Sequence, residues 1–183
     1  MTELQMTDEE FEREIRHVRS SIYPAPGIVL LHIGADETLL GLEADGLHYH
    51  ILRFSMGSAK TGRAFFAHEP PSPAEVEEAI NNVEDEVVQA ANKLKERRLL
   101  CTTDESVRRI AVISGVPESD DMSLSRDRME QLFGRLAALS MGRPVASDDI
   151  PVDREFAATL LILREVMHHL QFDSIKILNR RLN

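Results

Sequence analysis

Apolar residues recur along this chain at two spacings, one helical and one extended. In TDEEFEREIRHV, Phe11, Ile15 and Val18 fall on one side of a helix. Thr7 stands before the run as an N-cap, Glu10 follows three residues later, and acids fill the first turn. The stretch YPAPG at 23–27 ends that helix. Three strands are predicted next: Ile28–Ile33, a continuous apolar run; Thr38–Glu43; and LHYHILRF at 47–54. The third alternates, with Leu47, Tyr49 and Ile51 against His48, His50 and Leu52. Asp45-Gly46 predicts a tight hairpin between the second and third, and Gly34 with its neighbours turns the first into the second. The pattern is an antiparallel meander.

The stretch from Ser55 to Pro73 is rich in glycine and proline and predicts a loop with a short helix near 61–66. Ser72 caps a helix that opens on Pro73 and runs to about Glu96, burying Val76, Ile80, Val83, Val87, Ala90, Ala91 and Leu94. RRIAVISG at 108–115, an apolar run closed by glycine, predicts a buried parallel fourth strand. PESDDMSLS reads as loop. Ser125 caps a helix over 126–139 that turns Met129, Leu132, Phe133 and Leu136 inward. A last helix is predicted over 152–170 and a fifth strand over 174–178. The order, one helix and then β-β-β-α-β-α-α-β, predicts a single α/β domain: an N-terminal helix and linker at 1–26, and a ribonuclease H-like core at 27–183. Its mixed five-stranded sheet, flanked by helices, would be that of half an actin-like ATPase.

Composition narrows the partners. The 183 residues are 43% hydrophobic and 28% charged, enough for a real core. Lys and Arg number 21 against 31 Asp and Glu, a formal charge of −10, which argues against nucleic acid and anionic membranes as partners. The single Cys101 allows no intrachain disulfide and no cysteine metal cluster, so a cytoplasmic location is expected. The charged N-terminus is unlike a signal peptide, and no apolar run approaches a membrane span.

Several stretches carry a resemblance. FSMGSAKTGRAFFAHEPPSPAEVEEAI is similar to the third strand and following helix of the exopolyphosphatase/guanosine-pentaphosphate phosphatase (Ppx/GppA) family. RMEQLFGRLAALS resembles that family's LFERLAALS-type helix, and IPVDREFAATLLILREVMHHLQFDSIKILNRRL resembles its closing stretch. DEEFEREI falls where the family has the helix bearing its catalytic Glu. The resemblance is collinear over nearly the whole chain and covers the family's second phosphatase domain. It implies an actin-like fold, phosphoanhydride chemistry with Mg²⁺, and a tendency to self-associate.

It also implies a site. The family's phosphate loop, roughly DIGGGSTEL, aligns with His32–Leu40, so that Gly34 and Thr38 would contact phosphate and Glu10 would be the base. A second, glycine-rich loop aligns with ISGVPES and keeps Gly115 as a phosphate contact. The departures are large: His32 replaces the strand Asp that would hold Mg²⁺ or orient water, Ala35 and Asp36 replace glycines, and Glu37 replaces Ser. A phosphate cradle relies on backbone N–H groups beside small residues. Two carboxylates in the turn oppose it, each like-charge contact costing roughly 3–4 kcal/mol at an effective dielectric near 20.

Two readings follow. In the first the domain is catalytically degenerate, a pseudoenzyme or interaction module that works as a homodimer or with a separate protein. In the second it is an Mg²⁺-dependent hydrolase of polyphosphate or guanosine pentaphosphate whose cleft another subunit completes. There Glu10 is the base, Asp36 or Glu37 a metal ligand, and Gly34, Thr38 and Gly115 hold phosphate. Each residue has a structural role as well: Glu10 suits a capping box, and Asp36 and Glu37 suit a solvated turn. His48 and His50 share a strand face without a third ligand in view, and His168 and His169 point in different directions on a helix. Cys101 and Ser114 lack nucleophile signatures, and the first strand, IVLLHI, has no nuclease carboxylate.

Overall fold

The computed structural model describes residues 5–22, 27–43, 49–91 and 98–179. Helix α1 (Asp8–Ser21) leads into the strands β1 (Ile28–Ile33), β2 (Thr38–Glu43) and β3 (Tyr49–Phe54). Helices α2 (Ser58–Phe65) and α3 (Pro73–Ala91) follow, then β4 (Leu99–Thr102), α4 (Glu105–Ile113) and β5 (Asp121–Ser125). The chain closes with α5 (Arg126–Ser140), a short 3₁₀ turn, α6 (Arg154–His169) and β6 (Ser174–Leu178). Asp45-Gly46 and the predicted helix beyond Ala91 lie outside the described residues.

Among the described residues six strands form one mixed sheet in the order β3-β2-β1-β4-β6-β5. β1, β2 and β3 pair antiparallel, β4 lies parallel to both β1 and β6, and β5 is antiparallel to β6. Strand β1 is central and covered on both faces, which is why its apolar run is continuous. Ile28 and Leu30 face α1 with Phe11, Ile15, Val18, Leu39 and Cys101. Val29, Leu31 and Ile33 face the larger core beneath α2–α6. Helix α6 is apolar almost all round and is the centre of that layer, touched by α2, α3, α4 and α5.

The structure corrects the predicted sheet. Residues 105–113 are helix α4, where a strand over 108–115 was expected. Val107, Ile110 and Ala111 repeat at the helical spacing, and all are buried. Gly115 is the C-terminal glycine of that helix: with φ of 82° its N–H bonds Val112 O, while Val116 N–H reaches back to Ala111 O. This is a Schellman stop, for which glycine is the favoured residue. The parallel fourth strand is LLCT at 99–102, four residues long, in a stretch for which no strand is predicted. A sixth strand, DMSLS, lies in the expected loop and buries Met122 and Leu124 in alternation.

Candidate functional site

The β1–β2 hairpin and the β4–α4 junction meet at the ends of two parallel strands, where ligand crevices form in open α/β sheets. A cavity of about 630 Å³ opens there, lined among others by Glu10, His32, Gly34, Asp36, Glu37 and Asp104. Ser58 at the start of α2, Glu105 and Ser106 on α4, and Glu155 at the start of α6 complete its rim.

The hairpin is closed by Gly34 N–H donating to Glu37 O at 2.9 Å. Its outward carbonyls are taken up by α2: Ser58 N–H donates to Gly34 O and Lys60 N–H to Ala35 O, each at 2.9 Å. The N-terminal donors of a helix are its natural anion site. Here two of them are spent on the hairpin. Gly57 makes that contact possible, because a Cβ there would lie 2.6 Å from the backbone of Ala35 and Glu37.

The two turn acids are partnered. Asp36 pairs with Arg63 at 2.8 Å and Glu37 with Arg53 at 2.6 Å. Arg53 also binds Asp8 at 2.5 Å and Met6 O at 3.1 Å, tying the start of α1 to the hairpin. Its bonds to Glu37 and Asp8 raise its pKa further above the ordinary guanidinium value. The repulsion expected from two bare carboxylates is therefore partly neutralised inside the turn. Thr38 is buried and its hydroxyl donates to Met56 O at 2.9 Å, so it faces the core and is not part of the cavity wall. Glu10 does face the cavity, and its carboxylate accepts from Thr7 N–H and Thr7 Oγ1, each at 2.9 Å, in the capping box. Gly115 is at the far end of α4 and outside the cavity lining.

One pair was not foreseen. His32 Nδ1 lies 2.6 Å from Asp104 Oδ1, and Asp104 Oδ2 accepts Ile33 N–H at 2.7 Å. Asp104 N–H is held in turn by Thr102 Oγ1 at 3.0 Å. Thr103, next along, bonds Glu14 of α1. Asp104 occupies the N-cap position of α4, and an Asp between an apolar run and a helical repeat is a readable cap signal. The apolar density of the 108–115 run masks that signal, because it predicts a strand in place of α4.

The Mg²⁺ implied by the family resemblance meets an unsuitable donor set. Both Asp104 oxygens accept protein N–H groups, Asp36 and Glu37 are tied to arginines, and Glu10 is engaged by Thr7. Among the described residues no three His, Cys, Asp or Glu side chains converge as a metal group. Elsewhere, His50 is exposed on β3 and His48 lies outside the described residues. Cys101 is buried in β4, and burial pushes its thiol up to about 12. A thiol so held is not a nucleophile at neutral pH. No described helix is long and apolar enough to cross a membrane.

No family model and no curated protein matches the sequence. Solved structures match in three dimensions. A Ppx/GppA phosphatase of Aquifex aeolicus, in its type II variant, superposes with a TM-score of 0.73 at 12% identity, over 90% of this chain and 57% of that one. A structure of the Aquifex aeolicus Ppx/GppA family member gives 0.72 at 16% identity, over 95% and 59%. An exopolyphosphatase of Cytophaga hutchinsonii gives 0.68 at 13%, over 92% and 59%. At these identities the likeness is one of fold: this chain has the actin-like ATPase fold of the Ppx/GppA structures and spans less than two thirds of each.

Proposed function

We propose that this chain is a Ppx/GppA-like domain whose phosphate chemistry is degenerate, and that it serves as an interaction or regulatory module in a homodimer or with a separate protein. The observation that carries the reading is the charge of the strand-end cavity. Its described lining holds Glu10, Asp36, Glu37, Asp104, Glu105 and Glu155, and neither Lys nor Arg. A polyphosphate entering it would meet carboxylates at several positions; a carboxylate without a cation partner costs about 3 kcal/mol at ~5 Å and an effective dielectric of 20, and Asp36 and Glu37, paired with Arg63 and Arg53, cost less. Backbone hydrogen bonds return only ~1 kcal/mol each. The α2 donors that could offset the cost are engaged by the hairpin.

The second reading, an Mg²⁺-dependent phosphoanhydride hydrolase completed by another subunit, has one observation in its favour: Glu10 and the Gly34 hairpin line the same cavity. One experiment separates the two. Purified protein is incubated with Mg²⁺ and either polyphosphate or guanosine pentaphosphate, with phosphate release and thermal midpoint followed together. The expected result is no release above buffer and no shift in midpoint, where a ligand at about a hundred times its dissociation constant would add ~2.7 kcal/mol. Release that disappears in Glu10→Gln would establish the hydrolase instead.

A further inference from the structure

We propose that the His32–Asp104 pair stands where a divalent cation would otherwise bridge β1 and the start of α4, so that this cleft is built to hold its shape without a metal ion. This goes beyond the functional reading, because it concerns what closes the strand ends and not whether phosphate is turned over.

The argument starts from Asp104. It sits at the N-cap of α4, yet its carboxylate does not cap its own helix. It reaches back across the cleft to β1, where one oxygen takes the imidazole and the other takes the backbone of Ile33. The side chain is only 9% exposed, so its charge must be met by the protein. Contacts of 2.6 and 2.7 Å are the lengths of charge-assisted hydrogen bonds. A small hard cation would need several oxygens arranged around it at ~2.1 Å. To enter here it would have to displace an imidazole and find ligands among acids already held by Thr7, Arg53 and Arg63. The clasp therefore does the joining that an ion does between facing carboxylates, with an N–H in the ion's place.

The test uses the full chain and two readouts that do not depend on activity. In wild type, Mn²⁺ should leave the amide resonances of Ile33 and Asp104 unbroadened, and the thermal midpoint should be the same in chelator and in Mg²⁺. His32→Asp sets a second carboxylate against Asp104. Its midpoint should fall in chelator and recover in Mg²⁺, with Mn²⁺ affinity rising about tenfold, ~1.4 kcal/mol. Adding Asp104→Asn to that variant should remove the gain. Broadening at Ile33 and Asp104 in wild type would overturn the proposal, as would a folded His32→Asp protein with no cation response. If that variant fails to fold in either condition, the wild-type Mn²⁺ titration decides alone. Polyphosphate turnover that persists in chelator would overturn the functional reading and leave this one intact.

Discussion

At the scale of single residues the firmest electrostatic feature is Glu75, on the first turn of α3. Its carboxylate accepts Ser72 N–H at 2.6 Å, Ala67 N–H at 2.9 Å and the His68 ring at 2.9 Å. Burial pushes this acid up, but the donors from Ser72, His68 and Ala67 outweigh it and hold it at about 2, against an ordinary 4.5. A pKa depressed on folding contributes stability above the unfolded value, and that contribution is lost as pH falls toward the folded one. The Glu75 contribution is thus complete at neutral pH and disappears between about 4.5 and 2. Glu75→Gln should lower stability at pH 7 by about 1–2 kcal/mol. In urea melts across the acid range the difference from wild type should shrink as pH falls through that window. A difference that stays constant with pH would mean the carboxylate charge contributes nothing.

At the scale of elements, the contact between the hairpin and α2 sets the cleft's shape. At Gly57 the atoms a Cβ would strike are backbone atoms of Ala35 and Glu37, which cannot rotate away. Gly57→Ala should destabilise by about 1–3 kcal/mol. It should also speed amide exchange at Ser58 and Lys60, whose N–H groups bridge to the hairpin. Gly134, on the exposed side of α5, is the control: nothing lies within 4 Å of its Cβ position, and Gly134→Ala should stabilise by ~0.5–1 kcal/mol. Equal effects at the two sites would show that α2 does not depend on that close approach. The legibility of elements followed the same physics. The strands β1–β3 and β6 and the helices α1, α3, α5 and α6 were readable because a cap, a turn or a clear period marks each one. Strand β4 has four residues and no alternation, and it exists because β1 and β6 pair with it on either side. IAVISG carries the apolar density of a strand, and the Asp104 N-cap, the buried spacing of Val107, Ile110 and Ala111 and the Gly115 stop mark it as a helix. Asp104 gains meaning only when β4 ends before it and α4 begins after it, and the sequence pattern marks neither element plainly.

At the scale of the whole molecule the sheet divides the core in two, and the smaller part depends on one helix. Phe11, Ile15 and Val18 of α1 share one buried cluster with Ile28, Leu30, Leu39 and Cys101. Gly41 on β2 lets the helix lie close, since a Cβ there would sit 2.4 Å from Ile15 Cδ1. Beyond that apolar seam, Asp8 to Arg53, Glu14 to Thr103 and Arg19 to Glu43 hold the helix. An element held mainly by one face is a natural unit of local opening. Cys101 reports on it, because its fully buried thiol reacts with a disulfide reagent only when something uncovers β4. If α1 opens as a unit, Ile15→Ala should speed Cys101 labelling in native buffer by roughly thirtyfold or more, for an undocking penalty of ~2 kcal/mol or above. Leu160→Ala, on α6 beneath the opposite face, should lower global stability by a comparable amount and leave native labelling nearly unchanged. If both variants accelerate labelling equally, Cys101 is exposed only by global unfolding and α1 belongs to the same cooperative unit as α6. If they differ as expected, the helix that carries Glu10 into the cleft moves independently of the core behind it, and the cleft can change width without the sheet unfolding.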